Sequence, residues 1–154
     1  MTEPAYAELH CHSYFSLLDG ASSPEALVDE AHRLGLTALA LTDHDSLAGA
    51  VRFQSAAEQQ GLHAIFGAEV TLATGHHLTL LAETQQGYAN LCRLVSTARL
   101  DQLPTDDNAP WPGKVVPALT WNRLAQQRAG LIALTVCRLG PVASPLLAGD
   151  PEEA

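Results

Sequence analysis

Short apolar runs alternate along this chain with segments of helical period, and that alternation restricts it to an α/β architecture with a largely parallel sheet. The clearest run is Thr-Ala-Leu-Ala-Leu at residues 37–41, continuously apolar as expected of a strand buried on both faces. Before it, residues 6–11 read as a short strand. Residues 24–34 read as a helix, with Ser23 placed to cap its start and Gly35 to end it. After it come a predicted helix over 46–60 closed by Gly61, a strand over 64–72, and a strand over 77–82 reached through Thr74-Gly75. Residues 87–100 and 119–128 have helical period, and 131–137 form a fifth apolar strand. Residues 104–117 hold four of the nine prolines and read as irregular. No internal repeat and no low-complexity tract interrupts this order, and 154 residues suit one domain better than two.

Polar residues capable of chemistry fall mostly where these strands end, the edge at which α/β folds bind ligands. His10-Cys11-His12 places two imidazoles at i and i+2, on one face if the segment is a strand, as chelation of one divalent cation requires. Two such histidines also occur without a metal, so the pair is read together with its neighbours. Thr42-Asp43-His44-Asp45 follows the buried strand at once; a role as cap for the next helix accounts for Asp45 or Ser46 and leaves His44 without a structural reason. Glu69 lies inside an apolar strand, where a carboxylate is costly unless paired or metal-bound, and is ordinary only if that strand is an exposed edge. His77 begins the next strand and, if the two strands form a hairpin, sits near the end of the Glu69 strand; His76 faces the other way. Cys137 closes the last apolar strand, where a cysteine is most often a small hydrophobe. Asp19 sits in an Asp-Gly turn. His32 reads as a solvated residue at a helix C-terminus, His63 as a loop residue and Cys92 as a core residue.

Charge narrows the functional classes. Eight Lys and Arg against 17 Asp and Glu give a net charge of −9, with no basic cluster, so weak or no autonomous DNA binding is expected. No apolar run approaches the roughly 20 residues that cross a bilayer, the start MTEPAYAELH is not of secretory type, and three widely spaced cysteines fit a reducing cytoplasm. The chain has no nucleophile-elbow Ser motif, phosphate-binding glycine loop or paired-Cys zinc motif.

The succession HCHSYFSLLDG, LGLTALALTDHDSLAGAVRF and FGAEVTL resembles the polymerase-and-histidinol-phosphatase (PHP) superfamily. The continuation HHLTLLAETQQGYANLCRLVSTA, with GLIALTVCRLGPVASPLLAGDPEEA later, resembles the alpha subunit of bacterial DNA polymerase III, in its error-prone branch. The likeness covers nearly the whole chain, with a variable stretch at about 102–116.

That resemblance implies a distorted seven-stranded β/α (TIM-like) barrel holding up to three divalent metal ions, zinc or manganese, and residues 1–154 as one partial PHP domain. The family's ligand positions fall on His10, His12, Asp19, His44, Glu69, His77 and Cys137. The family's late Asp-x-His motif has no counterpart, because no histidine follows Cys137. The implied chemistry is phosphoester hydrolysis, of a 3′-5′ exonuclease or pyrophosphatase kind, if a C-terminal part completes the site. The implied partners are the remainder of a polymerase chain and, through it, a DNA 3′-end. The alternatives are a non-catalytic scaffold or docking module and a free small-molecule phosphatase similar to histidinol phosphatase, which the GYANL segment disfavours.

Overall fold

In the computed structural model, residues 6–106, 109–110, 112–113, 115–135, 138–150 and 152 are described. Five strands form one curled sheet in the order β1-β2-β3-β4-β5. The strands are β1 (Ala7–Glu8), β2 (Ala38–Leu41), β3 (His63–Thr71), β4 (His77–Ala82) and β5 (Leu131–Leu134). The helices are α1 (Pro24–Arg33), α2 (Ala50–Gln60), α3 (Gln85–Leu100), α4 (Trp121–Gln126) and α5 (Ala143–Ala148). Together they make an α/β half-barrel.

Local chemistry explains the helix starts. The Ser23 hydroxyl accepts from the Ala26 amide at 3.1 Å with Pro24 in the first turn, and Thr84 accepts from the Gly87 amide at 3.1 Å. Gly61 ends α2 in the left-handed region at φ 66°, open to it because it lacks a Cβ. Among the described residues, no helix is long and apolar enough to cross a membrane.

The sheet is mixed rather than largely parallel. β1, β2 and β3 pair in parallel, but β4 is antiparallel to both β3 and β5. The turn through Thr74-Gly75 is too short for a crossover, so β4 must run back along β3. Its first residue therefore lies at the edge where the parallel strands end.

Side-chain alternation divides the sheet into two faces. Leu39 and Leu41 of β2 pack with Val28 and Ala31 of α1 and Phe53 and Ala57 of α2. Ala68 and Val70 of β3 and Leu78 and Leu80 of β4 pack with Leu91, Leu94 and Ala98 of α3 and with Leu119 and Leu124. Helices thus cover the outer face. Gly67, Glu69 and Thr71 on β3, with Leu81, Thr79 and His77 directly across on β4, share the inner face.

Several boundaries differ from the sequence expectation. The first strand is only Ala7–Glu8, so His10 and His12 lie just beyond it. Residues 46–49 precede α2 as irregular backbone ending in a turn at 48–49, and Ser46 caps no helix. The helix expected over 119–128 shrinks to Trp121–Gln126, while Leu119 bridges to Leu72. β5 ends at Leu134, and Cys137 lies outside the described residues. His63, expected in a loop, is the first residue of β3. The helix α5 was not expected; its Pro145 hides any helical periodicity in a six-residue segment.

Candidate metal centre

Six of the seven expected ligand positions converge at one end of the sheet. His10 and His12 come from the segment after β1, Asp19 from the following loop, His44 from the residues after β2, Glu69 from β3 and His77 from the start of β4. Glu69 is at the centre and almost fully buried, with 2% of its side chain exposed. One carboxylate oxygen, Oε2, meets Nε2 of His10 and, at 3.0 Å, Nε2 of His12. The other, Oε1, meets Nδ1 of His77 at 3.0 Å. His44 closes the arc: its Nε2 lies 2.7 Å from Asp19 Oδ2, which is 3.9 Å from His12 Nδ1. The imidazole rings follow one another edge-to-face, with centroids 4.9 Å apart for His10–His12, 4.5 Å for His12–His44 and 5.0 Å for His44–His77.

Their ligand atoms form three sets within 4.8 Å: His10, His12 and Glu69; His12, Asp19 and His44; His44, Glu69 and His77. Each pair of sets shares one residue. A neutral imidazole offers one lone pair, whereas a carboxylate offers two oxygens. Of the shared residues, Glu69 is therefore the one suited to bridge two cations. The donor set of imidazole nitrogen and carboxylate oxygen fits a divalent metal cation.

The electrostatics suit a site that exchanges protons for metal. Burial pushes the Glu69 carboxyl upward, but hydrogen bonds from His12 and His10 and the charge of His44 outweigh it and hold the group at about 2. The hydrogen bond to Glu69 raises His12 above its ordinary value, against the effect of its own burial. Cys11, between the two histidines in sequence, is pushed up to about 11 by burial and by Glu8 and Asp43, so it stays a thiol and packs against the α1–α2 core.

Two carboxylates flanking His44, Asp43 and Asp45, build the frame. Asp43, 1% exposed, accepts from the Ser13 amide at 2.7 Å, the Ser13 hydroxyl at 2.8 Å and the Ser16 hydroxyl at 2.7 Å. Ser16 in turn accepts from the His44 amide at 3.0 Å. This ties the Asp19 loop to the end of β2. A Cβ on Gly20 would run into the Ser13 carbonyl, so the loop closes tightly only with glycine there. Asp45, expected as a helix cap, instead accepts from the Thr71 amide at 2.9 Å and the Thr71 hydroxyl at 2.7 Å, with its own backbone at φ 46°. The Asp45 amide donates to the Glu69 carbonyl at 2.9 Å. His44 and Glu69 thereby pair as a continuation of the β2–β3 ladder. The only sequence signal was the spacing of Asp43 and Asp45 on either side of His44.

His76 is turned toward Thr74 rather than the cluster, and His32 lies in the exposed last turn of α1. Cys92 is half-buried rather than a core residue.

Fold and cluster together define a class: a curled α/β half-barrel with imidazoles and carboxylates converging where its strands end. A family model for the PHP domain matches residues 8–154, and the chain belongs to that family. A curated relative from Symbiobacterium thermophilum, named error-prone DNA polymerase, is 46% identical over 156 residues. The match covers 97% of this chain and 14% of that protein, so the chain spans about one seventh of its relative's length. A solved structure from Bifidobacterium adolescentis, provisionally assigned as a metal-dependent phosphoesterase, is 31% identical with a TM-score of 0.50, covering 64% of this chain and 36% of that one. An amidohydrolase from Chromobacterium violaceum, solved with bound sulfate and no metal, is 31% identical with a TM-score of 0.52, covering 62% of this chain and 34% of that one.

Proposed function

We propose that this chain is the PHP domain of an error-prone DNA polymerase and that its cluster is a polynuclear metal centre for phosphoester hydrolysis. The observation that carries the reading is Glu69: a buried carboxylate with two histidines on one oxygen and a third on the other. A buried carboxylate committed only to structure has no need of three imidazoles, whereas a bridging ligand between two cations does.

His10, His12 and Glu69 would hold one cation, and Glu69 with His77 a second, with Cys137 as a further ligand to it. Asp19 and His44 would face a third. The bound ions supply an activated water and neutralise charge on the phosphate. Before a cation binds, His10, His12 and His77 are gathered by their contacts to Glu69, and His44 by its backbone bond to Ser16 and its contact to Asp19. Asp19, with 57% of its side chain exposed, stands at the mouth of the cluster, where an incoming phosphate arrives. The substrate proposed is a DNA 3′-end or pyrophosphate, delivered by the rest of a polymerase chain, since the net charge of −9 does not favour nucleic acid binding by this domain alone.

The competing reading is a scaffold or docking module of a polymerase, without catalysis. Hydrolysis of a single-stranded DNA 3′-end and of histidinol phosphate, each with zinc or manganese and with chelator, separates the readings. Metal-dependent release of nucleotides that is lost in Glu69→Gln supports the proposal. Preference for histidinol phosphate favours a free phosphatase, and absence of both activities despite bound metal favours the scaffold.

A further inference from the structure

Among the described residues, Thr79 carries the one buried side-chain oxygen or nitrogen without a hydrogen-bond partner. It lies in the middle of β4 and is 1% exposed. A hydroxyl left dry and unpaired is unfavourable, and valine would fill the same space without that cost. The position therefore calls for an acceptor that is brought into reach in another state of the protein.

The ladder shows where that acceptor is. Thr79 stands directly across from Glu69, so both side chains leave the inner face with Cβ atoms about 5 Å apart. On its other flank Thr79 faces Leu134, whose side chain has nothing to offer a hydroxyl. In this structure the Glu69 oxygens are engaged by His10, His12 and His77. An imidazole that ligates a cation turns its lone pair to the metal and cannot also donate to the carboxylate from that nitrogen. Loading the centre thus strips Glu69 of its present donors, while ligating carboxylates are themselves held by outer hydrogen bonds.

We propose that Thr79 is a positioning residue of the metal centre, whose hydroxyl donates to the Glu69 carboxylate, directly or across one buried water, once cations replace the imidazole contacts. This rests on reading the cluster as a cation centre. The orphan hydroxyl is then a donor held in reserve for the loaded state.

The test compares the wild-type chain with Thr79→Val and Thr79→Ser, by calorimetric titration with zinc and with manganese and by thermal melting in chelator. Thr79→Val should weaken metal binding about 10- to 100-fold, the usual effect of losing an outer-shell partner. Its metal-free melting temperature should equal or exceed that of the wild type, because an unpaired hydroxyl is removed. Thr79→Ser should retain the wild-type affinity. Equal affinity in Thr79→Val and wild type overturns the proposal. So does a metal-free Thr79→Val that melts well below the wild type, because the hydroxyl then has a structural partner. A wild type that binds neither cation fails the metal-centre reading itself, a separate result from either of these.

Discussion

Replacing Asp43 by alanine should damage the molecule more than replacing any of the histidines. The Asp43 carboxylate receives three hydrogen bonds of 2.7–2.8 Å, and two of their donors are the hydroxyls of Ser13 and Ser16, which are 0% and 2% exposed. A hydrogen bond to a charged group contributes about 1.5–3 kcal/mol, and each buried donor left unsatisfied costs about 1–3 kcal/mol. The two figures describe the same lost bonds from opposite sides and do not add; the Ser16 and Ser13 oxygens still accept from the His44 and Phe15 amides, but their O–H donors lose their acceptor. A net loss of about 3–5 kcal/mol results, the range found when one member of a buried charged network is removed. At about 2–4 °C per kcal/mol for a domain of this size, the melting temperature should fall by roughly 10 °C. Asp43→Asn preserves the shape and one acceptor oxygen, so it should lose less than half as much. Calorimetric melting of the three metal-free proteins decides the matter. The reasoning fails if Asp43→Ala melts within about 2 °C of wild type, or if Asn is as harmful as Ala.

After dialysis, elemental analysis should find zinc or manganese in the wild type and less in His12→Ala; equal contents would remove His12 from the ligand set. In a protein with the rest of the domain present, His44→Ala should lower hydrolysis about tenfold or more, and His32→Ala should leave it unchanged because His32 is a solvated residue of α1. Glu69 is held at about 2 against an ordinary 4.5, so its contribution to stability is present above 4.5 and fades as pH falls toward 2. His12 is raised above an ordinary 6.5, so its contribution is complete below 6.5 and fades as pH rises through the raised value. The metal-free melting temperature should therefore peak between these limits, and saturating zinc should abolish the alkaline decline, because metal requires the neutral imidazole. A metal-free melting temperature unchanged from pH 6 to 9 would contradict the His12 argument.

The fold was legible where short-range patterning decides it. The run at 37–41 is apolar at every position and becomes β2, and the parity that separates His77 from His76 follows from side-chain alternation alone. His10, His12, His44, Glu69 and His77 stood out as candidates because polar residues in or beside apolar strands are conspicuous, whereas Asp19 and Cys137 entered the set only through the family resemblance. Long-range partners were not. Asp45 suits a helix cap by local rules, but Thr71, 26 residues away, supplies a better pair of donors and overrides them. Asp43 gave no sign of its role because both serines lie about 30 residues upstream. The pairing of His10 and His12 on one carboxylate does not need the strand assumed for it; the segment follows β2 through the Cys11–Thr42 bonds after β1 has ended.

The reversal of β4 also bears on how the centre assembles. Glu69 and His77 are separated by 8 residues within one hairpin, whereas His10 and His12 reach the same carboxylate across 59 and 57 residues. Loop-closure entropy grows as three-halves RT times the logarithm of length, so the longer closure costs about 2 kcal/mol more than the shorter. Hairpins close in about 1–10 μs, faster than pairings between distant segments. The carboxylate and the imidazole nearest to it in sequence would thus meet before the amino-terminal histidines reach them. A cation captured by that early pair would guide the remaining ligands home, and folding would then depend on the metal.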